Sequence, residues 1–86
     1  MIKIIYTPRF VREFSKLDSA IQVEAHEKIK LFQDPQNHKG LKVHKLHGPL
    51  KNFLSFSANY QYRVVFSFLS KNEAVLLMIG NHDVYK

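Results

Sequence analysis

Near its end the chain reads Leu77-Met78-Ile79-Gly80-Asn81-His82-Asp83-Val84-Tyr85-Lys86. An apolar run stops at a glycine, and a histidine, an aspartate and a tyrosine follow at once. Upstream, Tyr62-Arg63-Val64-Val65-Phe66 sets a lone arginine inside a strand-like apolar run. Imidazole, phenol and guanidinium together can perform acid–base chemistry on a phosphodiester with no metal ion. A histidine accepts or releases a proton near neutral pH, and an arginine holds a phosphate with its planar fork. Asp83 can orient His82 or pair with Arg63, although neighbours along a strand face opposite ways.

A second group of residues bears on the partner. The stretch holding His38, Lys39, Lys42, His44, Lys45, His47 and Lys51 contains no acid, and the formal net charge of the whole chain is +6. Such a balance suits a polyanion. After position 34 the acids are Glu73 and Asp83, so Arg63 has few candidates for an ion pair. His44-x-x-His47 offers two metal ligands with no thiol or carboxylate beside them, so neither a metal nor another cofactor is expected.

These groups need a scaffold, and 86 residues supply one domain, spanning 1–86. A chain this short buries roughly 60% of its unfolded surface, so its stability is slender. A hydrophobic fraction of 45%, with seven Phe and four Tyr, still supports a core. There are no cysteines, which excludes disulfides and fits a reducing cytoplasm. No apolar run approaches the ~20 residues of a membrane span, and the N-terminus lacks the features of a signal peptide.

The hydrophobic period gives the order of elements. Ile2 to Tyr6 reads as a strand. Thr7-Pro8 opens a helix with a capping hydroxyl and a proline at its first position. Phe10, Phe14 and Leu17 form its stripe. Ser19 with Gln22 has the spacing of a capping box, and Ile21, Ala25, Ile29 and Phe32 form the buried face of a second helix that Asp34-Pro35 ends. From position 42 onward the period is that of strands. Lys42 to His47 is a strand or an extended loop. Leu54, Phe56 and Ala58 alternate with Ser55 and Ser57, and Asn59 to Gln61 turns the chain. Tyr62, Val64, Phe66 and Phe68 then face one way, and Arg63, Val65 and Ser67 the other. Ser70 to Glu73 is a turn, and Ala74 to Ile79 is apolar on both faces, as a central strand is.

The expected class is α+β, β-α-α-β-β-β: a helical hairpin packed on one face of a small, mainly antiparallel twisted sheet. The face of Tyr62, Val64, Phe66 and Phe68 should pack on Phe10, Phe14, Ile21, Ala25 and Ile29. Arg63 and Val65 then belong to the opposite face.

In this order the motifs resemble the RelE/ParE superfamily of bacterial toxins from type II toxin–antitoxin modules. The resemblance lies in the helical hairpin after a first strand, in Lys45-Leu46-His47-Gly48-Pro49-Leu50, in the aromatic-Arg-hydrophobic strand at Tyr62-Arg63-Val64-Val65-Phe66, and in Gly80-Asn81-His82-Asp83-Val84-Tyr85. It spans nearly the whole chain. The last motif is one residue shorter than the family's Gly-x-His-Asp-x-Val-Tyr. Leu54, Ser55 and Phe56 stand where RelE itself carries lysines, which points to a histidine-based scheme.

The resemblance implies a cytoplasmic toxin. Its partners would be a cognate antitoxin protein, the ribosome and mRNA. Its activity would be that of a ribosome-dependent, metal-independent endoribonuclease. In that scheme a base takes the 2′-hydroxyl proton, a cation steadies the phosphate, and an acid protonates the leaving 5′-oxygen. The products are a 2′,3′-cyclic phosphate and a 5′-hydroxyl. Aligned on Arg63, His44 falls near the catalytic Glu of YoeB-like and the catalytic His of YafQ-like members, with His47 as the substitute. The implied catalytic set is His44, Arg63, His82 and Tyr85. Lys42, Lys45, His47 and Lys51 would contact RNA phosphates, which position the substrate without reading its sequence. The ParE-like branch of the superfamily poisons DNA gyrase instead, and an inactive relative would bind only the antitoxin.

Overall fold

The computed structural model describes residues 1–48 and 52–81. Among the described residues the elements run β1 (Lys3–Tyr6), α1 (Pro8–Ser15), α2 (Ser19–Phe32), a single 3-10 turn (Pro35–Asn37), β2 (His44–Lys45), β3 (Leu54–Ser57), β4 (Tyr62–Ser70) and β5 (Glu73–Asn81). The strands form one sheet in the order β1-β5-β4-β3-β2. β1 is parallel to β5, and every other pairing is antiparallel. The α+β class, the helical hairpin and the mainly antiparallel sheet are those expected. The region from Lys42 to His47 resolves into a two-residue edge strand at His44–Lys45.

The first helix starts where the sequence says. The Thr7 hydroxyl accepts the Phe10 N–H at 3.1 Å and also lies 2.9 Å from the Leu76 carbonyl, to which it donates. One side chain therefore caps α1 and fastens it to β5. The capping box at the start of α2 does not form. Asp18 occupies the N-cap position without a side-chain bond. The Gln22 amide instead donates to the Phe14 carbonyl at 2.9 Å, an oxygen that also accepts the Leu17 N–H at 3.1 Å, and so ties α2 to the end of α1. Asp34 accepts from the Gln36 N–H and closes the exit of α2 into the 3-10 turn.

The main core lies between the helices and one sheet face. Phe10, Ala25, Ile29 and Phe32 meet Phe56, Val64, Phe66, Leu76 and Ile79 there, with Phe14 and Tyr62 at its margin. Phe32 is the hub. Its ring centroid lies 4.6 Å from that of Phe56, 4.7 Å from Phe66 and 4.7 Å from the His38 imidazole. His38, half-buried, completes this contact by bonding the Phe32 carbonyl through Nε2 at 2.8 Å. Two expected members stand at the edge. Ile21 is only half-buried. Phe68 is 39% exposed, although its ring still meets Phe32 and Phe66.

A second, smaller cluster occupies the other sheet face. Leu46, Val65 and Met78 are buried there, with Phe53 and Leu77 against them. A register shift between Val65 and Phe66, opposite Met78 and Leu76, leaves Leu77 unpaired in the ladder, the geometry of a β-bulge.

The far end of β5 is held by α1. β1 pairs with β5 only as far as Leu76, and the Ile79 N–H beyond it donates to Glu13 Oε1 at 3.1 Å. Arg9 steadies the other carboxylate oxygen at 3.3 Å. Glu13→Ala should cost about 1–3 kcal/mol by leaving that amide unpaired. Urea unfolding with amide hydrogen exchange checks this: exchange at Ile79 should quicken more than at Val64, and equal protection in both proteins would show that the carboxylate does not hold the strand.

Candidate functional site

Strand pairing decides which side chains can meet. His44 is opposite Ser55, Ser55 opposite Val65, and Val65 opposite Met78. The next row is Ser57, Arg63 and Gly80. Residues opposite one another across a ladder share a face, as do residues two apart on one strand. His44, Ser55, Ser57, Arg63 and Val65 therefore all lie on the face away from the helices. Val64 and Phe66 fill the core, so Arg63 must point the other way.

His44 and Arg63 are two strands and one row apart. Strand spacing puts their Cα atoms roughly 12 Å from one another. That is too far for mutual contact and suited to flanking a group that lies across β3. Gly80, directly opposite Arg63, adds no side chain to this row.

Arg63 is half-buried, yet its Nη1 is fully buried and has no hydrogen-bond partner. Among the described residues no carboxylate pairs with it. Glu73 bonds Ser70 and sits at the other end of β5, roughly 23 Å along the strand from Gly80. An unpaired buried guanidinium N–H is costly, and an anion is the group that satisfies it best. The Oγ of Ser55, also fully buried, is without a partner on the same face. The period-two alternation already put Ser55 and Ser57 on the side of Arg63. What the sequence does not reveal is the register that makes them its neighbours.

His44 is exposed, and its Nδ1 lies 2.7 Å from the Lys42 carbonyl oxygen. A carbonyl only accepts, so Nδ1 carries the proton and Nε2 of the neutral ring keeps its lone pair. Lys42, Lys45 and His47 are exposed along the same edge of the sheet. Lys51, His82 and Tyr85 lie outside the described residues, as does Asp83. Among the described residues no three His, Cys, Asp or Glu side chains gather to hold a metal ion. No helix among them is long and apolar enough to cross a membrane.

The chain matches no protein-family model, and no curated protein. Solved structures do resemble it over nearly their whole length. A chain of the YoeB–YefM complex from Staphylococcus aureus superposes with a TM-score of 0.71 at 17% identity, covering 95% of this chain and 98% of that one. For the toxin–antitoxin complex RelBE2 from Mycobacterium tuberculosis the TM-score is 0.69 at 16% identity, with 94% and 98% covered. YafQ from E. coli gives 0.67 at 11% identity, with 98% and 97% covered. Two helices on a mostly antiparallel open sheet are thus the fold of RelE-like toxins, and this chain has that fold.

Among the described residues Nη1 of Arg63 is held in place without a partner, which sets a stability test. Arg63→Met keeps the aliphatic stem and removes the unpaired donor. Its unfolding free energy should equal the wild type's or exceed it by up to about 1–3 kcal/mol. A loss of more than about 1 kcal/mol in urea titration would make Arg63 a structural residue.

Proposed function

We propose that the protein is the toxin of a type II toxin–antitoxin module and a ribosome-dependent endoribonuclease that cleaves mRNA without a metal. The observation that carries this reading is the unpaired, half-buried Arg63 on the same open face as His44, in a fold shared with RelE-, YoeB- and YafQ-type toxins.

Arg63 holds the scissile phosphate and stabilises the charge that develops on its oxygens. Nε2 of His44 takes the proton of the 2′-hydroxyl. The 2′-oxygen bonds to phosphorus and the bond to the 5′-oxygen breaks. His82 gives that oxygen its proton, and Tyr85 stacks on a base or donates to the phosphate. A 2′,3′-cyclic phosphate and a 5′-hydroxyl result. Lys42, Lys45, His47 and Lys51 bind RNA phosphates of the ribosome and message. The partner is an antitoxin protein, as in the complexes of similar fold, whose acidic segment folds onto this basic edge. The site of action is the cytoplasm.

Single-turnover cleavage on programmed ribosomes tests the chemistry. Arg63→Ala, His44→Ala, His82→Ala and Tyr85→Ala should each lower the rate, the histidine variants by about 10²–10⁴. His44→Ala should also erase one limb of the pH–rate profile, and a chelator should change nothing. Full activity in both histidine variants would overturn the acid–base assignment. A toxic wild type that leaves mRNA intact and damages DNA would instead point to gyrase.

Binding is tested separately. Replacing Lys45 and Lys51 by Gln should weaken ribosome association and reduce its salt slope by about one to two charges. An unchanged slope would make these lysines solvated surface.

A further inference from the structure

Lys42 has a backbone φ of +59°, a left-handed conformation in a residue that is not glycine. Such a residue costs about 1 kcal/mol relative to glycine and persists only where its surroundings impose it. Here they do so from both sides. Leu41 is buried in the main core, and its carbonyl accepts the Ser57 N–H at 3.0 Å. Val43 packs against the same core, and its N–H donates to the His38 carbonyl at 3.1 Å. The Lys42 N–H closes the turn onto the Lys39 carbonyl at 3.1 Å. With both neighbours fixed, Lys42 must take the left-handed turn that converts the helical bend into β2. Its carbonyl then receives Nδ1–H of His44 at 2.7 Å.

Building on the ribonuclease reading above, we infer that Lys42 is a positioning residue whose left-handed backbone, and not its ammonium group, locks His44 in the Nδ1–H tautomer and so presents Nε2 as the base. The lock gives an exposed histidine on a two-residue strand one orientation and one tautomer. It also separates two roles at one position. As a phosphate contact, Lys42 acts through its charge. As a positioning residue, it acts through φ.

Lys42→Asn and Lys42→Val separate them. Both remove the charge. Asn tolerates the left-handed region, whereas a β-branched residue does not. Lys42→Gly adds a variant that adopts it freely, and Lys42→Ala is a milder clash should Lys42→Val not fold. The first readout is long-range 1H–15N NMR of the imidazoles in the free protein. The second is the single-turnover cleavage rate at saturating ribosomes, with ribosome affinity measured alongside.

Lys42→Asn and Lys42→Gly should show His44 as the Nδ1–H tautomer, as the wild type does, and should cleave within about 3-fold of each other, whatever the shared loss of charge costs both against the wild type. Lys42→Val should lose that tautomer and cleave at least about 10-fold more slowly, part of the factor a general base supplies. Its affinity loss should match that of Lys42→Asn, since both lose the same charge. An Nε2–H tautomer in the wild type overturns the inference, as does equal behaviour of the Asn variant and the Val or Ala variant. A wild type that cleaves no mRNA while the tautomer follows the backbone would support the lock and overturn the ribonuclease reading.

Discussion

The arrangement depends on the burial of Phe56 and Phe66 against Phe32. Those rings meet within 5 Å of the Phe32 centroid, and all three are fully buried. Side chains alternate along a strand, so putting Phe56 and Phe66 into the core puts Ser55, Ser57, Arg63 and Val65 on the other face. A slip of one residue would bury the arginine in the helices and expose the aromatics. Both effects favour the observed register, because the slip would lose the aromatic burial and leave an unpaired charge in the core. The core therefore sets the direction of Arg63, and the site inherits its geometry from packing.

The open face shows the reverse balance. Among the described residues Arg63 Nη1 and Ser55 Oγ are buried without partners, and Lys42 holds a left-handed conformation next to His44. Each of these lowers stability, by about 1–3 kcal/mol for an unsatisfied polar group. Departures from local consistency that gather on one face mark a place where something other than stability was fixed. The core face has no such departures among its described residues. Its aromatic contacts, the Thr7 cap and the Glu13 bond to Ile79 all act in one direction.

Much of this was legible in the sequence because it rests on periodicity. The alternation at Tyr62 to Phe68 assigned faces before any contact was known, and the Thr7-Pro8 pair marked the first helix start. The capping box at Ser19 and Gln22 misled because a tertiary acceptor, the Phe14 carbonyl, competed for the Gln22 amide. Phe68 is on the face that the alternation assigns it, against Phe32 and Phe66, but its place at the rim of the core is set by tertiary packing that one strand does not reveal. Nothing in the residue type marks Lys42 as left-handed, since the turn is imposed by the burial of Leu41 and Val43. Ser55 was visible on the right face, but its unsatisfied hydroxyl is a property of its neighbours. The bond from Glu13 to Ile79 joins positions far apart in the chain, and no local signal announces it.

In the proposed reaction a phosphate of the message fills the gap at Arg63 while His44 faces the attacking hydroxyl. Cryo-electron microscopy of the wild-type protein on a programmed ribosome, with the 2′-oxygen of the target nucleotide methylated to prevent attack, tests it most directly. The scissile phosphate should lie within hydrogen-bond distance of the Arg63 guanidinium, with Nε2 of His44 against the 2′-oxygen. Message bound to the helical face, with Arg63 still unpartnered, would contradict it.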